Sequence, residues 1–365
     1  MGVKDLAEIT NRYGQDKEFV LAGGGNTSFK DGSVMYVKPS GTSMADIGPD
    51  DFVRMDLGRL KDIMERRYPQ DSAAREAQAL EDLMNARVQG EPRRPSVETL
   101  LHALLPHTYV VHTHPALVNG LTCSEKGAEI AEELFGNQAL WVPVVNPGYV
   151  LARTISDMLQ QHQAAGGGNQ IIFLQNHGLF IQADTLAEID GLYDKVIFSL
   201  SGRIGRFPVQ GFTVPDGISE EAVADMVSGD TELMAAGALN ADLEDYLQDS
   251  SSFAPLSLSF TPDHIVYCGF KPLYCDRAKG LSAAFREYTA DCKVPPKIVA
   301  VKGVGIFGLG ISKKAAELAR EVFLDGVRIA VYTESFGGHK FMPQDKIDFI
   351  RNWEVEQYRS SVSGG

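Results

Sequence analysis

His112 and His114 close the run Thr108-Tyr-Val-Val-His-Thr-His114, whose apolar centre predicts a strand. Successive side chains of a strand alternate between its faces, so the two imidazoles point the same way. Two imidazoles aimed at one point from a rigid element suit a metal ion. Glu98 precedes them on a predicted helix, and His177 follows in Asn176-His177-Gly178, just past another apolar run. Three neutral ligands would leave a zinc ion its full charge and an open position. Such an ion polarises a carbonyl and stabilises an enediolate, and a carboxylate freed from it acts as a base. The set suits cleavage of a carbon–carbon bond beside a carbonyl, and equally metal-assisted hydrolysis.

Each residue has a plainer reading. A lone buried histidine is usually a satisfied core residue, and any carboxylate in a first helical turn is favoured by the helix dipole. It is the combination that outweighs these. His102 shares the helix face of Glu98 and His107 follows Pro106 at a turn; both read as structural, with support behind the ligands as the alternative. His162, His264 and His339 carry no pattern.

Two glycine-rich turns, at residues 23–28 and 39–42, each follow a strand-like run, the first being Phe19 to Ala22. Ser96 reads as the N-cap of a helix through Leu105, stopped by Pro106. Unhindered amides, a helix N-terminus and hydroxyls can together cradle a phosphate. Lys38 reads as a solvated lysine beside this pocket.

The positioning elements alternate between helix and strand, so both halves read as α/β. Predicted helices cover 4–13, 71–87, 96–105 and 184–200, with strands at 34–37, 110–114 and 170–174. The composition shifts near residue 203, giving a first domain over 1–203 and a linker with an acidic helical segment over 204–254. A second α/β domain over 255–365 is predicted as strand (264–268), helix (276–290), strand (297–301), helix (312–325), strand (328–332) and a polar helix near 344–360. Pro106 to His114 resembles Pro262 to Phe270, and Phe173 to Phe180 resembles Ala300 to Phe307. The second domain thus reads as a degenerate copy of the first, with Cys268, Phe270 and Val304 in place of the three histidines.

Gly303-Val-Gly305-Ile-Phe-Gly308 matches the spacing of a dinucleotide fingerprint. Glu334 lies well beyond the offset of about 20 residues expected for the ribose carboxylate, so no cofactor-binding residue is assigned. A chain of 365 residues, 44% hydrophobic, can bury two cores. Its formal charge of −14 argues against a nucleic-acid partner. The four cysteines form no Cys-x-x-Cys pair and no disulfide framework. No N-terminal signal region and no run near the ~18–20 apolar residues of a membrane span is present, so a soluble cytoplasmic protein is expected.

Five motifs in order resemble the class II, zinc-dependent aldolase and adducin family: Gly25-Asn26-Thr27-Ser28, Pro39-Ser40-Gly41-Thr42, Pro95-Ser96-Val97-Glu98, His112-Thr113-His114 and Asn176-His177-Gly178. The resemblance covers about residues 1–203. It implies a layered α/β/α fold on a central, largely antiparallel sheet. It further implies that His112, His114 and His177 bind Zn2+ or another divalent transition metal. Glu98 would be the acid/base, and a metal ligand in the resting state of some members. Gly25, Asn26, Ser40, Gly41 and Ser96 would hold a substrate phosphate. Val97 stands where many members have a second small residue, which removes one hydroxyl and leaves an amide. Thr99 to Thr108, Thr333-Glu-Ser-Phe-Gly-Gly338 and Trp353 to Arg359 resemble the aldolase part of bifunctional rhamnulose-phosphate aldolase/lactaldehyde dehydrogenases. No dehydrogenase domain is expected in a sequence ending at Gly365. The expected reaction is reversible retro-aldol cleavage of a rhamnulose- or fuculose-type ketose 1-phosphate to dihydroxyacetone phosphate and an aldehyde such as lactaldehyde. Relatives imply a homo-oligomer, a tetramer in several. The alternatives are a phosphopentose 4-epimerase, whose relatives usually replace the glutamate, and a non-catalytic adducin-like scaffold, whose relatives lose the histidines.

Overall fold

The computed structural model describes residues 2–229 and 232–353. The chain divides into two compact units: residues up to 118 with 128–202, and residues 119–127 with the chain from 203 onward.

The first unit is built on seven strands: β1 (Asn26–Asp31), β2 (Val34–Val37), β3 (Val53–Asp56), β4 (Tyr109–Thr113), β5 (Ala139–Val142), β6 (Ile171–Leu174) and β7 (Gly178–Ala183). They lie in the order β3-β2-β1-β4-β7-β6-β5. Every neighbouring pair is antiparallel except β5 with β6. Helices Leu57–Glu65, Ser72–Asn85, Thr99–Leu104 and Tyr149–Ala164 pack one face, through Val37, Met55, Val110, Ile172 and Phe180. Helices Val3–Gln15 and Leu186–Ser201 pack the other face, where the Tyr193 hydroxyl donates to the Val111 carbonyl. The mixed sheet with helices on both faces is the expected class. All five residues of central β4 are buried, and each fully buried Val or Leu contributes about 1.5–3 kcal/mol. That burial holds rigid the strand whose end carries the histidines.

Several elements differ from expectation. Phe19 to Ala22 forms turns rather than a strand, and Asn26-Thr27-Ser28 belongs to β1 rather than to a glycine-rich turn. The helix expected from Ser96 starts at Thr99, with Glu98 as its N-cap. The Ser96 hydroxyl accepts from the Glu98 amide at 3.3 Å, so it caps the turn that enters the helix.

The second unit has four strands: β8 (Met234–Ala238), β9 (Leu273–Cys275), β10 (Ile298–Val301) and β11 (Gly305–Gly310), in the order β8-β11-β10-β9. Here three expectations fail. Residues 264–268 are helical: Thr261 stands at the N-cap position with its hydroxyl on His264 Nδ1 at 2.7 Å, and Pro262 opens the helix Pro262–Cys268. Residues 328–332 are the interior of the 21-residue helix Lys313–Thr333. The acidic segment at 218–249 contains β8, a strand without a β-branched residue, and so is more than a linker. The final helix is seen over Gln344–Asn352, and the rest of the predicted 344–360 helix and of the Trp353 to Arg359 motif lies outside the described residues.

The four strands repeat half of the first sheet. The order β8-β11-β10-β9 matches β4-β7-β6-β5, antiparallel pairs for antiparallel and the one parallel pair for parallel. The register matches too. His112 pairs with Phe180 as Gly237 pairs with Phe307, and Leu174 pairs with Gly178 as Val301 pairs with Gly305. Equivalent helices follow, capped by Thr185 and Ser312. The repeat therefore puts Gly237, Leu239 and Val304 in place of His112, His114 and His177. Only Val304 was placed correctly by sequence.

Candidate metal centre

Strand alternation and one tight turn assemble the three histidines. His112 and His114 leave the same face at the end of β4, their Nε2 atoms 2.9 Å apart. His177 lies in the three-residue β6–β7 turn, after Asn176, whose φ of 56° is left-handed. The ligand nitrogens of all three lie within 4.8 Å of one another. Gly178 is required here, since a Cβ would sit 2.6 Å from the Thr113 carbonyl and 2.7 Å from the His114 ring.

His112 is fully buried and stacks on Phe180 at 3.9 Å between centroids. Its Nδ1–H donates to the Leu179 carbonyl at 2.9 Å, which leaves the Nε2 lone pair facing the other rings. Burial pushes this imidazole well below its ordinary range, so it stays neutral and able to ligate.

Glu98 stands beside the triad, its Oε2 3.4 Å from His112 Nε2 and its Oε1 3.5 Å from His177 Nε2. It is 6% exposed, and Oε1 has no hydrogen-bond partner. Burial pushes the carboxyl up, but the imidazoles of His112 and His177 and the Asn26 amide hold it below the usual carboxylate range. A carboxylate beside three imidazoles is the donor set a divalent transition metal takes. The residues fit such an ion: His112, His114 and His177 would hold it, with Glu98 within reach.

Of the expected phosphate residues, Asn26 and Ser96 contact Glu98. Residues 38–40 pair with 94–96, Ser40 N donating to Arg94 O at 2.9 Å and Ser96 N to Lys38 O at 3.2 Å. The amides of Ser40 and Ser96 are thus engaged, while their hydroxyls can still donate. Gly25 and Gly41 are both left-handed, and a Cβ at Gly25 would meet the His112 carbonyl at 2.8 Å. Asn26 pairs with His112 across β1 and β4, and its Nδ2–H donates to Glu98 Oε2 at 2.6 Å. Its amide serves the carboxylate. Lys38, expected in solvent, is 2% exposed and donates to the Thr42 carbonyl at 2.6 Å. Its ammonium closes the 39–42 turn from beneath.

His102 has a larger part than its sequence context suggests. Fully buried, it bonds Ser28 Oγ at 2.7 Å through Nδ1 and Asn26 Oδ1 through Nε2. Its spacing from Glu98 on one helix face was the available signal. His107 bonds Asp184 at 3.0 Å at the other end of β4 and takes no part. Gly303 to Gly308 forms the β10–β11 turn and much of β11, an antiparallel hairpin rather than a strand opening into a helix. Gly303 supplies the left-handed turn, and Gly308 lies against the backbone of helix Lys313–Thr333. These glycines have packing reasons of their own.

A layered α/β unit with a histidine triad and a buried glutamate defines a metal-binding class, and the family comparison gives it a name. Residues 4–190 match the class II aldolase and adducin N-terminal domain, and the chain belongs to that family. Over 99% of its length the chain is also 23% identical to an uncharacterized oxidoreductase, YuxG, of Bacillus subtilis (strain 168). It spans 58% of that relative's length. Among solved structures, the N-terminal class II aldolase domain of a conserved protein from Thermoplasma acidophilum matches at a TM-score of 0.48 and 24% identity, covering 55% of this chain and 93% of that one. L-fuculose-1-phosphate aldolase from Thermus thermophilus matches at 0.35 and 16%, covering 54% and 92%.

Proposed function

We propose that the first unit is a zinc-dependent aldolase that cleaves a ketose 1-phosphate of the rhamnulose or fuculose type to dihydroxyacetone phosphate and an aldehyde. The observation that carries this reading is the buried Glu98 carboxylate, 3.4–3.5 Å from two ligand nitrogens with one oxygen held and the other without a hydrogen bond. A bound divalent ion would supply Lewis acidity at a substrate carbonyl. Glu98 moves the proton at the carbon where the bond breaks, through Oε1, its oxygen without a hydrogen bond. Burial excludes water from that carboxylate. The Ser40 and Ser96 hydroxyls, with the Gly41 turn and the Lys38 ammonium beneath it, offer donors and positive charge to the phosphate. Retention of Glu98 and all three histidines supports an aldolase over an epimerase or a silent scaffold. The Gly303–Gly308 run is a hairpin, so it lends no support to a dinucleotide-dependent reading of this chain.

The test is metal analysis with a coupled assay for dihydroxyacetone phosphate across several ketose 1-phosphates. About one zinc per chain is expected, and Glu98→Gln lowers kcat by about 10²–10⁴-fold while the metal stays. A zinc-loaded protein that releases no triose phosphate from any of them sinks the proposal.

A further inference from the structure

The two oxygens of Glu98 are held unequally, and the inequality traces to a histidine that touches no ligand atom. A carboxylate only accepts, so the Asn26 group bonded to Oε2 is the amide nitrogen. The amide oxygen then faces His102 Nε2, which must donate. With Nε2 protonated on a neutral ring, Nδ1 accepts, and the Ser28 hydroxyl is its donor at 2.7 Å. All four side chains are at least nine-tenths buried. Each bond fixes the direction of the next, from Ser28 through His102 and Asn26 to Glu98.

We propose that His102 is a positioning residue: it locks the Asn26 amide with its nitrogen toward Glu98, anchoring Oε2 and leaving Oε1 as the oxygen that carries the proton. This rests on the aldolase reading for its kinetic consequence, though not for its structural one. Without the Nε2 donor, the Asn26 amide can turn its oxygen toward the carboxylate. Two acceptors then face each other, and Glu98 leaves its working orientation. Burial pushes the His102 imidazole down to about 3, which keeps the ring neutral, as the chain of donors requires.

His102→Leu and His102→Gln separate positioning from packing. Leucine fills the space without a donor, whereas the glutamine amide can donate to Asn26 and accept from Ser28. Expected for His102→Leu is a loss of about 10–100-fold in kcat with KM within about twofold and one metal per chain retained. His102→Gln should recover most of that loss. Equal kcat for the two variants overturns the proposal, as does a loss confined to KM. Should His102→Leu not fold, Ser28→Ala removes the outermost donor and should lower kcat less but in the same sense; an unchanged kcat there overturns the proposal.

A second reading needs no turnover. With Co2+ in the site, the visible absorption bands report the ligand field beside Glu98. His102→Leu should shift them and His102→Gln should restore them. Unshifted bands in His102→Leu overturn the positioning role. A shift that is restored, in a wild-type protein that cleaves no ketose 1-phosphate, leaves the positioning role standing and removes the aldolase reading.

Discussion

The same half-sheet occurs twice in this chain, once around a metal centre and once around a proline. In the first unit the end of β4 and the β6–β7 turn present His112, His114 and His177. In the second the matching positions are Gly237, Leu239 and Val304. The backbone hydrogen bonds correspond closely. Gln175 N donates to Val142 O at 2.9 Å as Lys302 N donates to Cys275 O at 2.9 Å. His114 N donates to Phe19 O as Leu239 N donates to Thr213 O, each at 2.9 Å. Pro215, two residues beyond Thr213, is buried where the ligands would converge: a Cβ at Gly237 would lie 2.7 Å from its ring, and one at Gly305 2.6 Å. Backbone register is therefore enough to repeat the scaffold and not enough to repeat the chemistry. The first unit also has β1, β2 and the 96–98 turn, which deliver Asn26 and Glu98. Among the described residues the second sheet ends at β8, with no counterpart of those strands.

The sharpest test of this contrast is ligand removal in each copy. His112→Ala should abolish stoichiometric zinc binding and turnover together. Leu239→Ala, at the position matching His114, should cost about 0.5–3 kcal/mol of stability and leave about one zinc per chain. Zinc bound to His112→Ala at wild-type affinity would break the comparison.

The paired glycines give a smaller effect. Gly178→Ala drives a methyl into Thr113 and His114, and should weaken zinc binding by about tenfold or more. Gly305→Ala meets Pro215 and the Ala238 carbonyl at 2.8 Å instead. It should cost about 1–3 kcal/mol of overpacking with zinc content unchanged. Adding Pro215→Ala should return part of that cost, a coupling of about 0.5–3 kcal/mol in a double-mutant cycle read by urea denaturation. Strict additivity would argue that Pro215 does not fill the second site.

The smallest effect concerns acid. Burial pushes the Glu91 carboxyl of the first unit up, but hydrogen bonds from Arg93 and the Arg54 amide outweigh it and bring it to about 2. A depressed carboxyl adds stability that is complete above its unfolded value near 4.5 and lost as pH falls toward 2. The stake is about 3 kcal/mol at most. Glu220 of the second unit is depressed in the same sense by Lys313, which is half exposed, so its share is smaller. Urea midpoints of Glu91→Gln should therefore fall less steeply than those of the wild type between pH 4.5 and 2. Parallel slopes would remove Glu91 as the source.

Local periodicity made much of the first site legible. His112 and His114 stand two residues apart on an apolar strand, and alternation alone aims them together. His177 was marked by its position between an apolar run and a glycine. The second unit was harder to read because its clues were misleading. Ile265-Val266-Tyr267-Cys268 looks like a strand, yet the Thr261-Pro262 start makes it a helix. Met234 to Ala238 looks like nothing in particular, yet it fills an edge of the sheet because its small side chains fit beneath helix Lys313–Thr333.

The sequence by itself marked the three histidines, the glutamate and the family, because those depend on residue types at short, fixed spacings. Only the tertiary structure decided that Asn26 holds Glu98, that Lys38 is buried under its turn, that His102 bonds Ser28 and Asn26 and that Pro215 occupies the second copy. Each of these is a hydrogen bond or a packing contact between segments distant in the chain. Side-chain direction at such contacts is fixed by strand pairing and by the need to satisfy every buried donor and acceptor, and neither is written in local spacing.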